Sequence, residues 1–460
     1  MLQATLTRAF RLWRMAALPA WCTLARRRLA VVFLAALAVR LALWVSIFPT
    51  PDFYERGDAG EYLALARNLW SGGGITYKWS NLRIPISGRT PGYPIFLAAH
   101  RMFSESPRWP ALTQVFLDAG TAVIVAMCAA ELFPAAPAWA AGLAYGLEPV
   151  AAAQSLQIFT ETLCAFLLAL ALWLLVRSGR EGRTLPAMGW VAALSAAAMT
   201  RPTMVSLCIP WSAALWFLWG RRRPRRLALC VLAAHLLPAL WCCRNLAVFG
   251  RFGINAPTGS TYLDCEAIAI TAAVKRIPYR AAREKVLAAV FPTGHAGFFA
   301  EPFREYEMHQ KFAFRLMRAH PLAMLRVHAA GAVKLLMEPG LGLVTEELDP
   351  GGYVRCDGSQ VTQDAGEETQ VVLRQRPGLW PVLVYTEDFL LACCVLAGLG
   401  IWALWRERNL FAAATALAPL VWLLIVSSGG WSYYRFRVPL WPFVAVLVPQ
   451  GIAFLRNRRG

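Results

Sequence analysis

The sequence predicts an all-α polytopic membrane protein with about ten transmembrane helices, and three observations carry that prediction. Hydrophobic residues fill 58% of the 460 positions and charged residues only 16%, against roughly 45–50% and about 25% in an ordinary soluble domain. The mean hydropathy is +0.45. The third observation is where the positive charge lies. A net charge of +19 would point to nucleic acid in a soluble chain, but here the arginines fall between apolar runs, where they orient spans. Disorder, collagen, a coiled coil and a small disulfide scaffold are excluded by the same composition. Nine of the eleven cysteines fall in or beside apolar runs, where Cys behaves as a small hydrophobe. Only Cys265 and Cys356 lie in a long polar region, and they can pair only if that region faces an oxidising compartment. No CxxC or Cys/His cluster points to structural zinc.

A span needs about 20 mostly apolar residues to cross about 30 Å of hydrocarbon. Runs of that kind occupy residues 29–47, 111–132, 138–150, 158–176, 187–200, 204–219, 227–243, 380–405, 410–428 and 438–455. The third and fifth are the shortest and must borrow neighbours to cross. With the N-terminus inside, the short inside segments hold nineteen arginines and the short outside ones only Arg201, Arg435 and Arg437. That bias sets the orientation, with both termini cytoplasmic. The basic start and the interruption of the first run by Arg40 predict an uncleaved signal-anchor rather than a cleaved signal. The organisation that follows is a basic cytoplasmic tail (1–28), spans one to seven with an external loop at 49–110 (29–243), a mixed external region (244–379), and spans eight to ten with a cytoplasmic tail (380–460). Residues 321–337 are amphipathic and carry Arg326, His328 and Lys334. They read as a helix lying at the interface; an eleventh crossing there would invert every later span.

The segment after the first span reads PTPDFYERGDAGEYLALARNLWSGGGITY. From Asp58 onward Tyr62, Leu65, Ala66 and Leu69 recur at helical spacing, until Gly72, Gly73 and Gly74 stop the helix. Asp58 is thus placed at a helix N-terminus, where the dipole favours a carboxylate; a plain N-cap is the competing reading. Arg89-Thr90-Pro91-Gly92-Tyr93-Pro94 forms a stiff turn with a cation and an aromatic. Glu161 falls one turn into an apolar span, where an ionisable group faces a cavity, a partner or the interface. Arg40 either pairs with an acid or snorkels. Arg201, Arg244, Arg435 and Arg437 stand at the predicted outer ends of spans, and with Arg89 they place several guanidinium groups at one depth. Guanidinium forks match phosphate oxygens, although each arginine alone also suits lipid head groups.

These fragments together resemble a known family. GDAGEYLALARNL, RTPGYPIF, the TET before the fourth run, ALSAAAMTRP, CRNLAVFGRFG and YRFRVPLWP occur in an order similar to that of bacterial membrane glycosyltransferases of the GT-C type, the group related to protein O-mannosyltransferases and to the lipid A aminoarabinose transferase. The resemblance covers most of residues 29–455 and is weakest at 265–380. It implies transfer of a sugar from a polyprenyl-phosphate-linked donor on the outer side of the inner membrane, to a glycan, lipid or protein acceptor, without nucleic acid. The family's acid lies in the first external loop, in a pattern of Asp-Glu, two residues, then Tyr. Asp58 and Tyr62 match the ends of that pattern, and Ala59 stands where the second acid would be, with Glu61 nearby. The resemblance therefore assigns Asp58 as general base, with Tyr62, Arg89, Tyr93, Glu161, Arg201, Arg244, Arg435 and Arg437 around the substrates. Some relatives hold a divalent metal; the sequence locates no ligands for one.

Chemistry asks for the same parts. An attacking hydroxyl or amine must lose a proton, a departing polyprenyl phosphate needs cations where water is scarce, and a single displacement inverts the anomeric centre. Two rivals remain at this point: a catalytically silent relative acting as an assembly partner, favoured by Ala59, and a transporter or flippase, which would be expected to show two related halves.

Overall fold

In lipid every backbone N–H and C=O must bond within its own segment, which makes helices of long apolar runs. The computed structural model describes residues 23–48, 51–55, 57–79, 82–181, 184–216, 224–256, 261–291, 302–340, 373–374, 377–430 and 434–458. Six of its helices are long and apolar enough to cross a membrane. They are α1 (Thr23–Ile47), α4 (Arg108–Leu132), α7 (Thr160–Glu181), α10 (Pro224–Phe249), α15 (Trp380–Glu407) and α16 (Leu410–Ser427).

The other four of the ten runs are shorter or broken, for local reasons. Run 138–150 divides into α5 (Trp139–Gly146) and α6 (Pro149–Gln154). Pro149 has no N–H to continue a helix, and Glu148, extended at φ −68° and ψ 118°, caps the new one by accepting from the Ala151 N–H. Run 187–200 is α8 (Thr184–Thr200), apolar but short. Run 204–219 starts as a 3₁₀ turn (Pro202–Leu207) and continues as α9 (Cys208–Leu215); residues 217–219 lie outside the described set. Run 438–455 becomes α17 (Trp441–Ala445) and α18 (Val448–Asn457), each with a proline in its first turn.

Packing follows residue size. On α1, Val32, Ala36 and Arg40 recur every four residues and are buried, while Val31, Leu34, Val39 and Val45 face outward. Opposite them, Gly142 and Gly146 of α5 leave no room for a side chain: a Cβ at either would sit 2.6 or 2.9 Å from Val32 or Ala36. Small residues at this spacing let two helices approach closely. That approach brings the Gly146 carbonyl within 2.6 Å of Arg40 Nη1. Arg40 pairs rather than snorkels: its Nε lies 2.6 Å from Asp118 of α4, whose other oxygen accepts from the Tyr145 hydroxyl at 2.5 Å. Deeper in the bundle Trp190, Trp211 and Phe443 pack edge to face.

The first long connection holds a 3₁₀ turn (Pro51–Glu55), α2 (Ala59–Trp70), as its periodicity predicts, and α3 (Gly92–His100), which takes Gly92, Tyr93 and Pro94 of the expected stiff turn into its first turn. It also contains a hairpin, β1 (Thr76–Trp79) with β2 (Leu82–Pro85), paired from Thr76↔Pro85 to Trp79↔Leu82. The expectation of helices alone misses it because four-residue strands carry too little alternation to register. The second long region is helical in its described part: α11 (Ile268–Lys275), α12 (Tyr279–Val290), α13 (Pro302–Ala319) and α14 (Pro321–Met337). Leu263, Ile268, Ala282, Val286 and Ala313 give this region a small core of its own. Residues 341–372, with Cys356 and hence the Cys265–Cys356 pairing, lie outside the described set. On α14, Leu322, Leu325 and Val333 are exposed while Gly331 and Leu335 face inward.

Candidate functional site

Asp58 precedes α2, and its geometry departs from that of a plain cap. The residue is in the αR region (φ −67°, ψ −13°) and its side chain makes no capping hydrogen bond. The carboxylate turns outward instead. Arg89 Nη2 stands 3.0 Å from Oδ1, and Arg435 Nη2 stands 3.6 Å from Oδ2. Asp58 remains 38% exposed, the most open acid of the group.

Arg89 holds the α2 side together. It donates from Nε (2.9 Å) and Nη2 (2.6 Å) to Glu61 Oε2, and from Nη1 (3.2 Å) to the Tyr62 hydroxyl. Its guanidinium also lies over the Tyr62 ring at 4.8 Å. Burial opposes the Arg89 charge, the Glu61 and Asp58 carboxylates favour it, and its pKa is raised. Tyr62 is pushed up to about 12, by burial first, with Arg89 acting against the shift. It is therefore a neutral phenol at any physiological pH. Tyr93 is raised as well, through burial, and supports Tyr62 from below with ring centroids 5.0 Å apart.

The second half of the cluster comes from distant parts of the chain. Glu161, in the first turn of α7 and only 3% exposed, accepts from Arg201 Nη1 at 2.7 Å. Arg201 follows α8 directly and also donates to Thr160 Oγ1 (3.2 Å). Arg435, in a 3₁₀ turn (Tyr434–Arg437), reaches Glu161 Oε1 at 3.7 Å through Nε. Its guanidinium faces the rings of Phe159 and Phe436 at 5.4 and 5.3 Å, and Arg201 faces Phe436 at 4.9 Å. Carboxylates and guanidiniums thus alternate: Glu61, Arg89, Asp58, Arg435, Glu161, Arg201. Asp58 and Arg435 form the exposed middle.

The structure therefore brings together Asp58, Tyr62, Arg89, Glu161, Arg201 and Arg435, with Tyr93 beneath. Arg244 and Arg437 stand elsewhere. Arg244 donates to the Ile86 carbonyl (2.9 Å) and to Asn245 Oδ1 (2.8 Å), and Asn245 in turn donates to the Gly253 carbonyl (2.7 Å). Those bonds tie the end of α10 to the base of the hairpin. Arg437 is fully buried; it donates to Glu148 Oε1 (2.9 Å) and to the Leu335 and Glu338 carbonyls (3.1 and 2.8 Å).

One supporting residue was missed by the sequence reading. Gln114, buried in α4, accepts from the Tyr93 hydroxyl (2.7 Å) and donates to the Ser155 and Gln157 carbonyls (3.2 and 2.7 Å). It links α3, whose Tyr93 packs under Tyr62, to the stretch that leads into Glu161. Only its polarity inside an apolar run could have marked it.

Asp58, Glu61 and Glu161 each already face a guanidinium, and no group of three His, Cys, Asp or Glu residues among those described could hold a metal. What the cluster can do is hold one accessible carboxylate beside cations in a partly desolvated setting.

No protein-family profile and no curated protein matches the sequence. Solved structures do show likeness. The chain is similar to the apo oligosaccharyltransferase of Archaeoglobus fulgidus, at 13% identity and a TM-score of 0.47, over 94% of this chain and 50% of that one. It spans half the length of that archaeal protein. It is also similar to apo ArnT from Cupriavidus metallidurans, at 16% identity and a TM-score of 0.39, over 93% of this chain and 78% of that one. For ArnT bound to undecaprenyl phosphate the values are 15%, 0.37, 92% and 77%.

Proposed function

We propose that the chain is an inverting membrane glycosyltransferase that moves a sugar from a polyprenyl-phosphate-linked donor to an acceptor hydroxyl or amine. Asp58 acts as the general base. The observation that carries this reading is the Asp58 carboxylate itself: it caps no helix, is the most open acid of the cluster, and lies between Arg89 and Arg435. A base must be within reach of the proton it takes, and cations beside it stabilise the phosphate that departs. Arg435 reaches both Asp58 and Glu161, at 3.6 and 3.7 Å, so in this reading it meets the donor phosphate, with Arg201 behind it. Arg89 and Glu61 hold the Asp58 side in place. The lipid tail of such a donor explains why the site sits at the ends of spans. The positive-inside bias supports cytoplasmic termini and an outer site; a reporter fused after Arg226 should then be cytoplasmic and one at Asp357 external.

A silent relative is the second reading, and Ala59 favours it: a buried alanine stands at the family's second acid position. The deciding experiment incubates purified wild type and Asp58→Asn with a panel of polyprenyl-phosphate sugars and envelope acceptors, and reads release of polyprenyl phosphate. Release by wild type alone supports the transferase and its base. Equal release by both removes Asp58 from the mechanism. Release by neither, with donor binding retained, favours the silent relative.

A further inference from the structure

We infer that the buried Arg437–Glu148 pair is a positioning device that aims Arg435 into the site. This rests on the reading of Arg435 as a donor-facing cation, and it begins from how little Arg435 is held by its own bonds. Its two carboxylate neighbours stand at 3.6 and 3.7 Å, ion-pair distances beyond ordinary hydrogen bonding. Its Nε is buried without a hydrogen-bond partner among the described residues. The remaining contacts are the faces of Phe159 and Phe436, which permit sliding. The direction of this side chain must therefore come from the backbone that bears it.

That backbone is the four-residue 3₁₀ turn Tyr434–Arg437. With three residues per turn, positions two apart point about 120° away from each other, so Arg435 and Arg437 leave the same turn in different directions. Arg437 goes inward and is anchored on three sides. Nη2 donates to Glu148 Oε1, and Nη1 donates to the carbonyls of Leu335 and Glu338 at the end of α14. Its guanidinium also lies 5.8 Å from the Trp441 ring. Tyr434, the first residue of the turn, and Val438, just after it, pack with Val150 and Ala151 of α6.

Glu148 completes the linkage because its two oxygens do different work. Oε1 takes Arg437, and Oε2 caps α6 through the Ala151 N–H. From α6 the chain runs through Ser155 and Gln157, both gripped by Gln114, to Phe159 and Glu161. Two arms of the chain are thus pinned together at Glu148–Arg437 and meet again where Arg435 faces Phe159 and Glu161. A cation held this way is pre-aimed yet has no strong bond to break when a phosphate arrives, which favours fast stabilisation of a developing charge.

The test compares wild type with Arg437→Lys, which keeps charge but loses the fork, and Glu148→Gln, which keeps the cap acceptor but loses the ion pair. The first readout is the rate at which phenylglyoxal modifies Arg435, mapped by peptide mass spectrometry on the full-length protein in detergent. It needs no turnover, so it stands even if the transferase reading fails. Arg435 should react faster in both variants while Arg101 and Arg326 keep their wild-type rates. The second readout is transfer: kcat should fall by about 10²-fold, the scale of a 1 Å misplacement, with donor binding weakened no more than in Arg435→Gln. Adding Arg437→Lys to Arg435→Gln should then produce no further loss. Unchanged Arg435 reactivity in whichever variant folds would overturn the inference, as would an Arg437→Lys loss of kcat that is equally large in the Arg435→Gln background.

Discussion

Two ionic clusters in this molecule use the same chemistry to opposite ends. In the bundle interior, Arg40 meets Asp118 and Arg437 meets Glu148 with no exposure on any of the four side chains. Each guanidinium there also takes backbone carbonyls, and Asp118 takes the Tyr145 hydroxyl. At the ends of the helices, Asp58, Arg89 and Arg435 are 26–38% exposed, and one carboxylate is shared between two cations at 3.0 and 3.6 Å. The contrast teaches how to tell a structural ion pair from an available one. A buried charge must be surrounded by partners to offset desolvation, whereas a group meant to meet a ligand is left open and loosely held.

The largest effect should come from breaking the interior set. Asp118→Asn leaves Arg40 buried against a neutral partner and should cost about 3–5 kcal/mol, read as a fall in the thermal midpoint in detergent. Asp58→Asn should leave that midpoint within about 0.5 kcal/mol of wild type; equal losses would erase the distinction between the clusters. Next comes the link between the two halves of the site. Gln114→Leu strands the Tyr93 hydroxyl and two carbonyls and should cost about 1–3 kcal/mol for the unmet groups, with reduced transfer. A variant as stable and active as wild type would show that the two halves do not depend on Gln114.

Smaller again is Arg435→Gln, which should weaken donor binding about tenfold, equivalent to about 1.4 kcal/mol, in a direct binding assay. Unchanged affinity would return Arg435 to the role of a head-group anchor. The smallest effect is on pH dependence at α14. His328 Nε2 lies 3.1 Å from Glu266 Oε2, and Nδ1 lies 3.3 Å from Ser428 Oγ. The Glu266 carboxylate raises the His328 pKa against the effect of burial. A raised folded value means that the pair's contribution is complete below the ordinary histidine value of about 6.5 and is lost as pH rises through the folded one. His328→Gln should flatten the stability profile above that point; an unaltered slope would show that the pair does not titrate there.

How far these features were legible depends on what each residue's chemistry required. Glu161, Arg201 and Arg435 stood out because a charged side chain near the end of an apolar run has few roles open to it, Asp58 because it starts an amphipathic helix, and Arg89 because it sits in a stiff Pro- and Gly-rich turn. Arg435 and Arg437 were indistinguishable in YRFRVPLWP, since both are arginines on one turn and only the packing of α6 and α14 sends one inward. Arg244 misleads for a related reason: its guanidinium suits a phosphate, but the carbonyls at the hairpin base are nearer. Glu148 was hidden inside a run that reads as one span, and it is the very residue that caps α6.

The sequence by itself determined the membrane-embedded helical class, the long apolar helices, the amphipathic helix behind Asp58 and the charge types available at its ends. These follow from local quantities: side-chain hydrophobicity, its period, and the breaks made by proline and glycine. Only the tertiary structure decided which acid faces which base. Asp58 and Arg435 are separated by most of the chain and meet at 3.6 Å because close-packed small residues and buried polar links set where the helix ends fall. Those distances are sums over many packing choices, and no local window of sequence contains them.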